Sequence, residues 1–445
     1  MRTALTASLL GLLFFACDKA PKPAPVAAPT AAASDAPAAS TAAAGETPPT
    51  TESPPRTTMP PASETKRLAS SSNALGFDLW SRARAAGEAK GNLAMSPASV
   101  AMALAMTYGG AKGETAEQMK RVLRAEDDAG ALMTSWGKLA AALGDPSRPM
   151  KLRIANRLFG EKTYAFEQPY LDATRAVFGA PLEALDFKTA PEPSRARINA
   201  WVEERTERRI KDLLPERSIE PLTRLVLVNA IYFLGAWQSP FEADRTRDEP
   251  FKTTPASTKS VPTMHQVMHV RFAQADGVKV LELPYKGGSA SLVVALPDRV
   301  DGLAALEASL SNATLEGWTR RLATENVHVA LPRFEVNPAA PLSLAKALAD
   351  LGMPLAFERR KADFTKIADP RDPDERLSVD DVFHKAFVKL DEKGTEAAAA
   401  TAVVMAAAGG PPPKPLEFKA DHPFLFFIVD DASGLVLFMG RVTEP

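Results

Sequence analysis

The sequence predicts a mixed α+β domain carried behind an export signal and a tether, and three observations point to it. From about Arg67 to Pro445, runs of helical period are interspersed with short alternating or wholly apolar runs that read as strands. Hydrophobic residues make up 45% and charged residues 24% of the 445-residue chain, ordinary values for a soluble globular protein. Near the C-terminus, the tract Asp391–Lys414 (DEKGTEAAAATAVVMAAAGGPPPK) sits between two runs that read as buried elements, LSVDDVFHKAFVKL and FLFFIVDDASGLVLFMG.

The N-terminus comes first in chain order. Met1-Arg2 precedes an apolar run from Leu5 to Ala16, of signal-peptide length and ending in a small residue. It is too short and wrongly flanked for a stable membrane span. Cys17, the sole cysteine of the chain, follows Phe-Phe-Ala and resembles a bacterial lipoprotein site, with Phe14 where that pattern prefers Leu. Residues 1–17 are therefore expected to export the chain, to the periplasm or the extracellular space; lipidation of Cys17 would anchor it to a membrane, and plain secretion with an incidental cysteine is the alternative. A single cysteine also excludes an intrachain disulfide. Residues 18–66 are rich in Ala, Pro, Thr and Ser and nearly lack large apolar side chains. They cannot bury enough surface to offset chain entropy, so they are expected to be a disordered, extended linker.

The domain is expected to span residues 67–445. Leu68 to Ala89 reads as an amphipathic helix. Asn92 to Val100 reads as a strand turning into a helix at Ser96-Pro97, with Ala101 to Tyr108 as its buried body and Glu114 to Arg124 as the next helix. Leu152 to Phe159 alternates like a central strand. Arg197 to Leu214 reads as one amphipathic helix, on which Arg205, Arg208, Arg209 and Lys211 interleave with Glu203, Glu204 and Glu207, the pattern of a solvated face rather than a polyanion site. Leu225 to Trp237 (LVLVNAIYFLGAW) is a strongly apolar strand, and its Asn229 must find partners if buried. Leu281 to Tyr285, Leu292 to Pro297 and Val329 to Phe334 are further strands, and Leu342 to Leu351 a helix.

Net charge is −1, so nothing favours nucleic acid or an anionic membrane surface. Five histidines leave little room for a metal site. His265 and His269 are spaced like a zinc pair on a helix, but VPTMHQVMHV reads as a strand edge and Gln266 stands where a zinc protease has Glu. No metal or cofactor is expected. There is no G-x-S-x-G elbow, no glycine-rich phosphate loop and no paired Ser-His-Asp.

The tract itself carries the function. The chain has 38 prolines, yet none falls between Asp374 and Gly410, and three follow at once, Pro411 to Pro413. Proline deletes a donor from a β-ladder, so a proline-free stretch of small residues is one that could enter an existing sheet. An alanine spacer or an alanine-rich helix are the bland alternatives, and the β-branched Thr401, Val403 and Val404 argue against the helix.

DEKGTEAAAATAVV is similar to the reactive-centre hinge of the serpins. The resemblance extends over nearly all of residues 67–445: N-x-x-x-SP-x-S at Asn92 to Ser99, GAKG-x-T at Gly110 to Thr115, IN-x-WV from Ile198, and LVNA-x-YF-x-G-x-W-x-x-PF from Leu227 to Phe241. It implies a fold of three β-sheets with eight to nine helices, a large five-stranded sheet able to accept a sixth strand, and an exposed reactive loop. It implies no catalytic residues but a suicide substrate, whose partner is a target serine protease held as a covalent acyl complex; a monomer is expected. Gly394 would be the hinge, with Glu392 before it. Thr395, Ala397, Ala399 and Thr401 would face inward on insertion, with Glu396, Ala398 and Ala400 between them. Family register places the reactive bond at Ala408–Gly409, and a loop one residue shorter at Ala407–Ala408. Alanine there suits elastase-like or subtilisin-like proteases with small pockets rather than a trypsin-like one. Ser96, Ser99, Asn229 and His384 match the family's shutter, which governs sheet opening. Trp237 and Arg333 match its breach, where Arg333 would pair with Glu392. A non-inhibitory member, acting as carrier, chaperone or plain substrate, is the alternative; such members usually carry bulky, charged or proline residues in the hinge.

Overall fold

The computed structural model describes residues 59–85, 91–395 and 414–445. Among them lie nine α-helices: α1 (Ala62–Ala85), α2 (Pro97–Gly109), α3 (Gly113–Val122), α4 (Ala129–Leu143), α5 (Gln168–Phe178), α6 (Pro191–Arg205), α7 (Leu303–Ala308), α8 (Asn312–Arg321) and α9 (Ala345–Asp350). The strands form three sheets, so the architecture is the expected α+β one.

Two helix starts show how sequence sets local structure. Ser96 caps α2, its hydroxyl accepting from Ser99 N while Pro97 occupies the first turn, where the missing N–H costs nothing. Helix α1 begins at Ala62 rather than Leu68, so the last five residues of the expected linker are helical, with Thr65 buried. Helix α6 departs further from expectation. It starts at Pro191, because Pro191 and Pro193 favour a first turn, and it ends at Arg205 instead of Leu214. Glu207 and Arg208 take left-handed backbone (φ 50 and 62), which terminates a right-handed helix. Leu342 and Ser343 are a short strand, and the helix there begins only at Ala345.

The nine-stranded sheet runs β1 (Leu93–Met95), β17 (Leu435–Val442), β16 (Phe424–Asp430), β8 (Ala290–Pro297), β7 (Val278–Pro284), β6 (Ser257–Ala275), β9 (Ala323–Pro332) and β15 (Leu416–Lys419), with β5 (Arg247–Thr254) also paired to β6. His265 and His269 thus lie on a strand, as expected, but an interior one rather than an edge. A two-stranded sheet joins β11 (Leu342–Ser343) to β12 (Phe383–His384).

The third sheet positions the candidate site. Its order is β10 (Phe334–Val336), β13 (Val388–Asp391), β14 (Gly394–Thr395), β4 (Leu225–Ala236), β2 (Lys151–Glu161) and β3 (Leu182–Leu185). Five strands plus the two-residue β14 make six, and β14 is the start of the tract singled out in the sequence. The main hydrophobic core covers one face of this sheet, taking Leu152, Leu158, Ile231 and Phe233. On the other face α6 seals a second cluster, with Ile198, Trp201 and Val202 against Phe159, Val228, Ala230 and Phe387. The alternation along β4 and β2 is the period-2 rule of a strand buried on both sides.

Candidate functional site

The tract enters the fold through a tight hairpin. After β13, Asp391 to Gly394 turn, and Gly394–Thr395 pair antiparallel with Leu390–Asp391 on one side and with Gly235–Ala236 of β4 on the other. Only glycine fits position 394. Its φ is +145, and a Cβ there would lie 2.0 Å from Gly235 O and 2.8 Å from Ala236 Cα. Gly235 is needed for the reciprocal reason, since its own Cβ would meet the Phe233 and Tyr285 rings.

Around this hairpin the structure brings Glu392, Trp237 and Arg333 together. Arg333 Nε donates to Glu392 Oε1 at 2.6 Å, and Thr246 Oγ1 donates to the same oxygen. Burial alone would raise the Glu392 carboxyl; the hydrogen bonds from Thr246 and Arg333 outweigh it and hold the group below the ordinary glutamate value. The turn's backbone is held as firmly. Trp237 N donates to Lys393 O at 2.9 Å, Phe241 N to Glu392 O at 2.9 Å, and Trp237 Nε1 to Asp391 O at 3.0 Å. Trp237 stacks on Tyr285, ring centroids 4.7 Å apart, and the Tyr285 hydroxyl lies 2.6 Å from Thr395 Oγ1. Thr395 is buried, its side chain on the core side of the sheet.

Lower in the same sheet, Ser96, Ser99, Asn229 and His384 also meet. Ser96 N donates to His384 Nε2 at 2.9 Å, Ser99 Oγ donates to Asn229 Oδ1, and Asn229 Nδ2 donates to Asn156 Oδ1 at 2.6 Å. Asn156 and Asn229 are directly opposite in the β2–β4 ladder. His384 is fully enclosed, and desolvation pushes its pKa down to about 4, so the ring is neutral and free to accept from Ser96.

Among the described residues no strand pairs with the outer edge of β4 from Leu225 to Leu234. Beside the lower cluster and away from the hairpin a cavity opens, bounded by Leu225–Asn229, by Leu377–His384, by Ser99 and Leu104 of α2, and by Leu213–Leu214. Glu396, Ala397, Ala398, Ala399, Ala400, Thr401, Ala408, Gly409 and Cys17 lie outside the described residues. Of the basic residues expected on one helix, Arg205 at the end of α6 lies over the Trp201 ring, and Arg209, beyond the helix, over Phe387.

Sequence reasoning missed Asn156, Tyr285 and Thr246. Asn156 carried a signal, an amide inside the apolar run LRIANRLF, the same argument that singled out Asn229. Tyr285 and Thr246 carried none, because their roles exist only where distant segments meet.

Fold and site together define a class. A family model described as serpin, serine protease inhibitor, matches residues 70–445. The chain is 39% identical to the leukocyte elastase inhibitor of Equus caballus over 388 residues, covering 85% of this chain and all of that protein. It is likewise 39% identical to serpin B3 of Homo sapiens, covering 85% of this chain and 99% of that one. Among solved structures, uncleaved ovalbumin superposes with a TM-score of 0.76 at 30% identity, covering 85% of this chain and 100% of ovalbumin. A cleaved Serpin 42Da gives the same TM-score and identity over 86% and 99%. The chain belongs to the serpin family of serine protease inhibitors, whose members are not catalysts.

Proposed function

We propose that this protein is an inhibitory serpin, a suicide substrate for serine proteases with small specificity pockets. The observation that carries the reading is β14: Gly394 and Thr395 of the tract already form a strand between β13 and β4, and a cavity lies further along β4 at Leu225–Asn229. Continuing both pairings residue by residue would bring Thr401 opposite Asn229 on one side and His384 on the other, both in the polar cluster. It would also put Ala397, Ala399 and Thr401 on the core side with Thr395. Small side chains at those positions let the strand enter without displacing Phe233 or Ile231.

The mechanism follows from that path. The protease serine attacks the Ala408 carbonyl and expels the amine of Gly409, giving an acyl-enzyme. The freed strand zips in along β4, carrying the protease along before water deacylates it, and the added ladder hydrogen bonds and buried side chains drive the step. In this scheme Glu392, Arg333 and Trp237 fix the point where the strand enters, and Ser96, Ser99, Asn229 and His384 hold the sheet until it arrives. The similarity to leukocyte elastase inhibitors supports an elastase-like target, and a subtilisin-like protease is the second choice.

Incubation of the protein with pancreatic-type elastase, read on a denaturing gel and by mass spectrometry, tests this. The expected result is a boiling-resistant complex and a released peptide beginning at Gly409. Cleavage at that bond with no complex, for elastase and a subtilisin-like protease alike, would favour the non-inhibitory alternative.

A further inference from the structure

On the nine-stranded sheet, away from the loop-accepting one, two histidines from neighbouring strands converge. His265 of β6 pairs with Ala330 of β9, and His328 of β9 pairs with Val267 of β6, so the two imidazoles are diagonal neighbours on one face. Nδ1 of His265 lies 3.4 Å from Nε2 of His328, and the rings are nearly parallel, 24° apart with centroids at 5.5 Å. They border an open pocket of about 660 Å³ shared with Asp244, Arg245, Arg247 and Val267.

The protonation state is set by what surrounds the pair. Nε2 of His265 is 3.1 Å from Glu249 Oε1. A lone pair facing a carboxylate would be repelled, so the ring proton belongs on Nε2 and the lone pair on Nδ1, toward His328. Glu249 stands behind Nε2 without hydrogen-bonding to it, and the opposite nitrogen faces His328; that side is where the outer shell of a metal-binding histidine has its acceptor. The local cations do not leave a net positive field. Lys419 Nζ is 2.9 Å from Glu249 Oε2, Arg247 Nε donates to Glu249 Oε1 at 2.9 Å, and Arg245 Nε is 2.8 Å from Glu242 Oε2; Asp244 adds a further negative charge.

From this geometry we propose that His265 Nδ1 and His328 Nε2 form a two-histidine site for a divalent transition-metal ion of the zinc type. Two nitrogens each about 2.0–2.1 Å from a tetrahedral ion stand about 3.3–3.4 Å apart, the separation already present. Ligation requires only that His328 carry its proton on Nδ1. Among the described residues no group of three such ligands gathers, so water completes the coordination. The ion would clamp β6 to β9, next to β15, the strand that follows the tract. The site is independent of loop insertion.

Zinc chloride titrated into the full chain by calorimetry tests it, in a Cys17→Ser background so that the thiol does not compete. One ion per chain is expected, with a raised melting temperature when zinc is present. His328→Ala, at a partly exposed position, should weaken binding at least tenfold while melting like its parent in the absence of zinc. Glu249→Gln should weaken it about 10–100-fold. His269→Ala should leave it unchanged. No saturable binding, or an affinity unaffected by His328→Ala, would overturn the site.

Discussion

Gly394 and His384 are single residues whose physics reaches the whole sheet. At Gly394 a Cβ would collide with the backbone of Gly235 and Ala236, so a larger residue there would disturb the pairing of β14 with β4. His384 acts through its charge. The folded protein holds it neutral, with a pKa of about 4 against 6.5 when exposed, so between those values the unfolded chain binds a proton that the native state refuses. Stability is therefore full above about pH 6.5 and falls as pH drops toward 4, by about 1.4 kcal/mol per unit and on the order of 3 kcal/mol in all. Asp431, whose carboxyl burial pushes up to about 6, contributes in the opposite sense over part of that window. The difference between wild type and His384→Asn is thus the readout, since Asn keeps an acceptor for Ser96 N but does not titrate. Urea unfolding at pH 7.0, 5.5 and 4.5 should show wild type losing stability relative to the variant. Equal slopes would mean that His384 is not buried neutral.

At the scale of elements, the prediction concerns the strand the tract would become. Ala399, four residues beyond Thr395 on the inward register, would fall opposite Ile231. An arginine there would have to bury an unpaired charge against the core, which costs several kcal/mol. Ala399→Arg should leave the cleavage rate by elastase nearly unchanged and lower the fraction trapped as complex at least tenfold. A variant that still traps the protease would remove the inward assignment. That inward assignment comes from the resemblance to the serpin hinge together with the alternation of a strand, and it falls on residues outside those described. What the sequence itself made legible was α2, through Ser96-Pro97, and β4, through its apolar run. Helix α6 was legible in kind but not in its bounds: a helical hydrophobic pattern continued to Leu214, but Glu207 and Arg208 adopt left-handed backbone and Asn199 ties down Leu214 through both its backbone N–H and its carbonyl. The grip on Glu392 was half legible. Arg333 followed from the resemblance to the serpin breach, whereas Thr246 and Tyr285 become neighbours of the hinge only after β4, β7 and β13 have come together.

For the whole molecule the prediction concerns where the protein is held, and it rests on Cys17. None of the described helices is long and apolar enough to cross a membrane; the anchor proposed from the sequence is a lipid on Cys17. Acyl chains contribute about 0.8 kcal/mol per buried CH₂, enough for stable anchoring when more than one chain is attached. A proline-rich tether over residues 18–61 reaches at most on the order of 130 Å at about 3.1 Å per residue, so an anchored inhibitor would meet proteases near the surface that holds it. Cells expressing the full chain and fed a labelled fatty acid should yield labelled protein in the membrane fraction. Cys17→Ser should be unlabelled and released, with its elastase complex undiminished, because the anchor lies far in sequence from the loop and the sheet that receives it. Label retained in the Cys17→Ser chain would place the lipid elsewhere; an unlabelled wild-type chain in the soluble fraction would make the protein a freely diffusing inhibitor.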